Sequence, residues 1–189
     1  MEEIEMFLEE AKELMDKSVS HCQHELTKIR AGKAAPTMLD GLMVEYYGSP
    51  TPITQVASIT TPDARTLAIK PWEKNVISNI ERAIINSDLG LNPQNDGEQI
   101  RINIPPLTED RRRDLVKQAK GEGENGKVSI RNVRKDTNDS LKKLLKDGVE
   151  GVSEDSVKDA EAEVQKITDS HVLKIDALIE AKEKDIMTI

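Results

Sequence analysis

Eight cations on one stretch of the chain have the types and spacing to do chemistry, and that chemistry is the recognition of phosphate. Arg113, Lys117, Lys120, Lys127, Arg131, Arg134, Lys135 and Lys142, projected at the roughly 100° per residue of an α-helix, fall within an arc of about 100°. Arginine clusters among and beside them, in Arg111-Arg112-Arg113 and at Arg131 and Arg134, and its planar fork of donors suits phosphate oxygens better than a lysine ammonium does. The stripe sits in an acidic chain: of 189 residues with net charge −8, positions 108–146 hold 12 basic and 7 acidic groups. Positions 1–30 hold 4 and 8, 31–105 hold 6 and 8, and 147–189 hold 5 and 12. One positive segment in a negative chain is the electrostatic footprint of a surface that meets nucleic acid. The competing reading is a solvated face that complements acidic helices, or a helical adaptor or holdase that takes an acidic protein partner through the same stripe.

Other candidate chemistry is thinner. Gly121-Glu122-Gly123-Glu124-Asn125-Gly126 has the G-x-G-x-x-G form, but no strand precedes it and two carboxylates would face the phosphate, so no dinucleotide site is expected. His21, Cys22 and His24 are close in sequence without a second ligand pair, which reads as solvated or packed side chains and no metal. His171 falls on an apolar helix face and reads as a satisfied, partly buried histidine. The carboxylates are spread as any solvated face requires, and no serine or threonine has an identifiable base partner, so no catalytic residue and no cofactor are expected.

The elements that position the stripe follow from periodicity. Ile4, Leu8, Ala11, Met15, Cys22, Leu26 and Ile29 recur at spacings of three, four or their multiples and predict an amphipathic helix over 2–30. After Pro106, Thr108 followed by Glu109-Asp110 starts a second helix as an N-cap with first-turn acids. Gly121, Gly123 and Gly126 interrupt it, each costing about 1 kcal/mol relative to alanine. Phase decides between two helices and one, because Leu115, Val116 and Ala119 share a face with Ile130, Val133, Thr137, Leu141 and Leu144. One helix over 108–146, about 60 Å long, is expected. Ser153 caps a third, carrying Val157, Ala160, Val164, Ile167, His171, Ile175 and Leu178 at spacings of three and four. Each helix is apolar along one stripe only, so the three are expected to bury those stripes in a bundle.

Between the first two helices the character changes. All eight prolines lie between Pro36 and Pro106, and segments 42–47, 53–60, 65–70 and 99–104 read as strands, with a turn over 48–52 and a helix over 74–87. The expected architecture is therefore α+β: an antiparallel three-helix bundle from 1–30 and 106–189, with a small α/β (β/α/β) domain inserted at 31–105. The chain crosses between them near 30–33 and 104–107. Glycine on one crossing and Pro105-Pro106 on the other suit a restrained hinge made of Arg30, Ala31, Gly32, Pro105 and Pro106.

Composition bounds the setting. A single cysteine fits a reducing compartment, no apolar run approaches the roughly 20 residues of a membrane span, and the acidic start Met1-Glu2-Glu3-Ile4-Glu5-Met6 is unlike a targeting segment. A cytoplasmic protein is expected. With 2% aromatic residues there is little to stack bases in series.

Six segments taken together, Lys28-Ile29-Arg30-Ala31-Gly32-Lys33-Ala34-Ala35-Pro36, Leu39-Asp40-Gly41, Val44–Pro52, Asp88–Pro93, Pro105–Arg112 and Val128–Arg134, make the whole chain resemble the bacterial ribosome recycling factors. The resemblance implies an L-shaped, two-domain monomer with the outline of a transfer RNA. It implies ribosome recycling: binding to the post-termination ribosome and, with elongation factor G and GTP, splitting it into subunits with release of messenger and transfer RNA. It makes Arg30, Arg112, Arg131 and Arg134 contacts to large-subunit ribosomal RNA. Helical phase turns Arg112 toward the apolar face, which leaves Arg113 as the phosphate contact there. Lys33 and Lys135 stand where the resemblance leads one to expect arginine, and Lys117 and Lys127 complete the expected RNA-binding set. Gly123 and Gly126 stand where better helix formers are expected. The smaller domain is expected to face the elongation factor through Tyr46, Tyr47, Gly48, Pro50 and Pro52.

Overall fold

The computed structural model describes residues 2–188. Apolar residues every three or four positions produce three long helices: α1 (Glu2–Lys28), then, after the inserted segment, Glu109–Lys146 and Glu154–Met187. The last of these begins in a reciprocal capping box, in which the Ser153 side chain accepts from the Ser156 N–H and the Ser156 side chain accepts from the Ser153 N–H. The helix at Glu109–Lys146 runs through all three glycines without a break.

Two units result: one comprises the chain up to Ala31 together with Glu109–Thr188, the other Gly32–Thr108. The chain thus passes between them at 31/32 and 108/109, so Pro106 and Lys33 belong to the smaller unit. In the bundle, α1 contributes Ile4, Ala11, Met15, Cys22 and Leu26 to the core, Glu109–Lys146 contributes Leu115, Ala119, Ile130 and Leu141, and Glu154–Met187 contributes Val157, Ala160, Val164 and Ile175. Two of the glycines are part of that core. A Cβ built on Gly123 would stand 1.9 Å from Ile179 Cδ1, and one on Gly126 would stand 2.8 Å from Ile175 Cδ1 and 3.2 Å from Cys22 Cβ. The missing side chains let three helices approach closely, which is why poor helix formers are kept there. Gly121 faces no heavy atom within 4 Å.

The smaller unit begins with a 3₁₀ turn at Pro36–Leu39 and then holds β1 (Met43–Tyr46), β2 (Ser49–Pro52), α2 (Ile53–Val56), β3 (Ala57–Asp63), β4 (Thr66–Pro71), α3 (Ile77–Ile85), β5 (Pro93–Asn95) and β6 (Ile100–Asn103). The two later long helices are accordingly α4 (Glu109–Lys146) and α5 (Glu154–Met187). A two-stranded sheet pairs β1 with β2, and a four-stranded sheet has the order β3-β4-β6-β5. Every pairing is antiparallel, so the β/α/β order along the chain forms no parallel crossover. Leu39, Val44, Ile53, Leu67, Ile69, Ile80, Ile84, Ile100 and Ile102 make its core.

Two local expectations are corrected, and one strand, β5, was not anticipated. Residues 53–56 form a helical turn, not the start of a strand, because Ile53 and Val56 both point into the core at a spacing of three. Residues 49–52 form β2 and not a turn, because the reversal is made at Tyr47 and Gly48, both at positive φ (48° and 82°), the geometry of a tight two-residue hairpin. Pro93–Asn95 pairs at the sheet edge, where a proline costs no ladder hydrogen bond. The two ends of the unit are tied to one hairpin: the Ala34 N–H donates to the Ala64 carbonyl (2.8 Å) and the Ile104 N–H to the Arg65 carbonyl (2.7 Å).

Candidate nucleic-acid interface

Helix α4 carries the stripe on the side that faces solvent and α5, while its opposite flank lies against α1. Side-chain pairs mark both flanks. On the α1 side, Ser18 and Ser129 hydroxyls are 2.9 Å apart and the Cys22 thiol points at the Glu122 carbonyl. On the α5 side, Lys127 pairs with Asp176, Lys120 with Glu183 (3.5 Å) and Lys142 with Glu161 (3.5 Å), and Arg134 Nη1 donates to Gln165 Oε1 (3.2 Å). Acids of α5 therefore border the stripe instead of lying on other faces only. Within α4, Arg113 pairs with Glu109 and Arg131 with Glu124 (3.1 Å). Lys117 and Lys135 are exposed and have no ion pair or hydrogen bond among the described residues.

These pairs do not cancel the stripe. Exposed ion pairs contribute about 0–1 kcal/mol each because both partners stay solvated, so exchange of a carboxylate for a phosphate is inexpensive. The exception is Lys127, whose side chain is 20% exposed and held by Asp176. It is less available than the other paired lysines of the stripe, Lys120 and Lys142.

The remaining expected residues divide between two other places. Arg112 is half-buried, as its helical phase requires, while Arg113 is exposed. Arg30 is exposed at the end of α1, across an open groove of about 640 Å³ from Arg111, Gln118, Gly121 and Asn125 of α4. That groove lies on the α1 flank and not on the stripe. Lys33 lies in the smaller unit. The expected set is thus a stripe (Arg113, Lys117, Lys127, Arg131, Arg134, Lys135), a groove residue (Arg30) and two outliers. Gln118 and Asn125 were not singled out as binding residues and Arg111 only as part of an arginine cluster, because they become neighbours of Arg30 only when α1 and α4 pack.

In the smaller unit, Tyr46 and Tyr47 are braced by one carboxylate that no local pattern reveals. The Tyr46 hydroxyl donates to Glu73 Oε1 and the Tyr47 hydroxyl to Glu73 Oε2, each at 2.7 Å, and the two rings meet edge to face at 4.5 Å. Those bonds hold the Glu73 carboxyl below the usual range and push the Tyr46 phenol up. Tyr47 and Trp72 are both largely exposed.

Two other polar features have structural explanations. His171 is buried, with Nδ1 2.7 Å from the Ile167 carbonyl oxygen and Nε2 2.8 Å from Asp16 Oδ1, and Lys174 Nζ donates to the same Asp16 oxygen at 3.2 Å. The His171 bond first, then Lys174, holds the Asp16 carboxyl below its ordinary value. His21 and His24 are exposed. Among the described residues no cluster of three His, Cys, Asp or Glu is arranged to hold a metal ion, and no helix is long and apolar enough to cross a membrane.

The family model described as ribosome recycling factor matches residues 22–187. The ribosome-recycling factor of Cytophaga hutchinsonii is 58% identical over 189 residues, covering the whole of both chains, and that of Porphyromonas gingivalis is 53% identical over 187 residues, covering 99% of this chain and all of its own. A solution structure of a ribosome recycling factor superposes with a TM-score of 0.74 at 38% identity over the full length of both chains. The Thermus thermophilus factor, in a study that places it with Escherichia coli elongation factor G on a post-termination complex, gives a TM-score of 0.61 at 47% identity, covering 98% of this chain and 99% of that one. By sequence over its full length and by fold, this chain belongs to the ribosome recycling factor family.

Proposed function

We propose that the solvent-facing stripe of α4 docks the bundle on large-subunit ribosomal RNA, with Arg113, Lys117, Arg131, Arg134 and Lys135 on phosphates and Arg30 beside them at the end of α1. As a ribosome recycling factor the chain works with elongation factor G to split the post-termination ribosome, and it does so by binding, not by catalysis. The carrying observation is the segregation of charge: one helix presents a predominantly cationic face in a chain of net charge −8. Lys127 holds the edge of that face against α5, Arg112 supports it from its half-buried position, and Lys33 adds charge from the smaller unit.

The braced pair Tyr46 and Tyr47, with the hairpin residues Gly48, Pro50 and Pro52, is the surface for elongation factor G. Rigid aromatic rings lose little conformational freedom on binding, which suits them as anchors. Arg30, Ala31, Gly32, Pro105 and Pro106 serve as the hinge, and the protein acts as a cytoplasmic monomer. Docking fixes the bundle on RNA while the GTP-driven movement of the elongation factor pushes on the smaller unit, so binding energy is converted into separation of the ribosomal subunits.

Light scattering of purified post-termination ribosomes with this protein, elongation factor G and GTP tests the function: scattering falls as subunits separate. Titration of large subunits at several salt concentrations tests the docking surface. Affinity should fall linearly on a log–log plot, since each phosphate engaged releases counterions. A salt-independent affinity overturns the docking reading, and unchanged scattering overturns the function.

A further inference from the structure

The groove between α1 and α4 differs from the stripe in kind. Besides the guanidinium groups of Arg30 and Arg111 and the Lys28–Glu25 ion pair (2.7 Å), it presents the Glu122 carboxylate and two side-chain amides, Gln118 and Asn125, and its walls include the apolar Ile29 and Leu115. The side chains of Arg30, Gln118 and Asn125 have no hydrogen bond or ion pair among the described residues. Its volume, about 640 Å³, is within the roughly 300–1,000 Å³ of pockets that hold a small organic group. Binding a phosphate needs none of this; amides that both donate and accept are what read the edge of a base.

Gly121 connects the groove to the stripe. It lies four residues after Lys117, so the two are neighbours on the helix surface, about 5–6 Å apart. A Cβ at Gly121 would meet nothing within 4 Å. The wall between the unpaired Lys117 ammonium and the groove is therefore missing a side chain, and a nucleotide whose phosphate rests on Lys117 can pass its base over the helix backbone there.

We infer that this groove receives one unstacked nucleotide of single-stranded ribosomal RNA, with its phosphate on Lys117, its base edge on Gln118 and Asn125, and Arg30 and Arg111 over the far rim. The inference rests on the proposed docking of the stripe on RNA, and it adds to that docking a base-reading element beside the phosphate-binding one. The stripe sets electrostatic affinity; the groove sets register on the RNA.

The test uses the intact protein and purified large ribosomal subunits. Gly121→Met puts a good helix former into the open space and obstructs the groove without changing charge, and helical circular dichroism checks that the bundle stays folded. Gln118→Ala combined with Asn125→Ala removes the reading groups and leaves the space. The expected results are an affinity drop of about tenfold for Gly121→Met and for the double variant, the size set by a single base edge that is no longer read. The salt slope should stay unchanged. Base-specific chemical probing should show one unpaired base protected by wild type and exposed with both weakened variants. Wild-type affinity and protection for Gly121→Met overturn the groove. Arg131→Ala with Arg134→Ala reports separately on the stripe: if that pair leaves affinity and salt slope unchanged, it is the docking reading that fails.

Discussion

Replacing each of the three α4 glycines by alanine separates helix propensity from packing within one helix. Where the new methyl meets nothing, glycine to alanine in a helix interior gains about 1 kcal/mol. Gly121 meets that condition, so Gly121→Ala should stabilise the bundle by about that amount. At Gly126 the new methyl would stand 2.8 Å from Ile175 Cδ1 and 3.2 Å from Cys22 Cβ. Ile175 is fully buried and Cys22 2% exposed, and a Cβ cannot rotate away, so helices must separate. Overpacking of this kind costs about 1–3 kcal/mol, which leaves Gly126→Ala destabilised by up to about 2 kcal/mol after the propensity gain. Gly123→Ala is also expected to destabilise, because its Cβ would stand 1.9 Å from Cδ1 and 2.5 Å from Cγ1 of Ile179, so the whole half-buried side chain has to move and not its tip alone. Thermal unfolding followed by helical circular dichroism reads the series, with about 2–4 °C per kcal/mol at this size. Gly121→Ala should melt higher than wild type and Gly126→Ala lower. If all three alanines raise the midpoint equally, close packing is not the reason for Gly123 and Gly126.

Arg131→Ala with Arg134→Ala should leave folding cooperative, within about 0.5 kcal/mol, since both side chains bond only to exposed partners. Large-subunit affinity should drop and its salt slope shrink by about two, one for each phosphate left without its arginine. Asp16→Asn should lower stability at neutral pH by weakening the link from α1 to His171 and Lys174 on α5. The folded carboxyl titrates below the ordinary value of 3.8, so its contribution is full above that value and disappears as pH falls through the folded one. Wild type and variant should therefore converge in denaturant midpoint only below about pH 4. Gly32→Ala should destabilise the margin of the smaller unit, because Gly32 has φ 71° and its Cβ would stand 2.6 Å from Leu107 Cγ. The expected readout is faster hydrogen exchange at the amides of Ala34 and Ile104, which tie the two chain ends to the β3–β4 hairpin; unchanged exchange counts against it.

The stripe was visible from spacing because helical phase is a local property: once α4 forms, Lys117 and Lys135 share a side whatever the rest of the chain does. For the same reason the half-burial of Arg112 followed from its phase. The Glu73 brace of Tyr46 and Tyr47 was not visible, since it joins positions 27 and 26 residues apart through the fold of the smaller unit. Nor were the acids of α5 that border the stripe, because a net charge counts them without locating them.

Amphipathic period alone determined that there are three long helices, that α4 survives its glycines, and that a proline-rich segment is set between the first two. Each of those depends on interactions within a few residues of chain. Tertiary structure alone decided that Gly123 and Gly126 are packing residues while Gly121 is open. It also decided that Arg30 belongs to a groove with Arg111, Gln118 and Asn125 and not to the stripe, and that residues 53–56 turn as a helix. These depend on which side chains arrive from distant parts of the chain, and close packing, which depends on the shapes of both partners, has no signature in one helix read by itself.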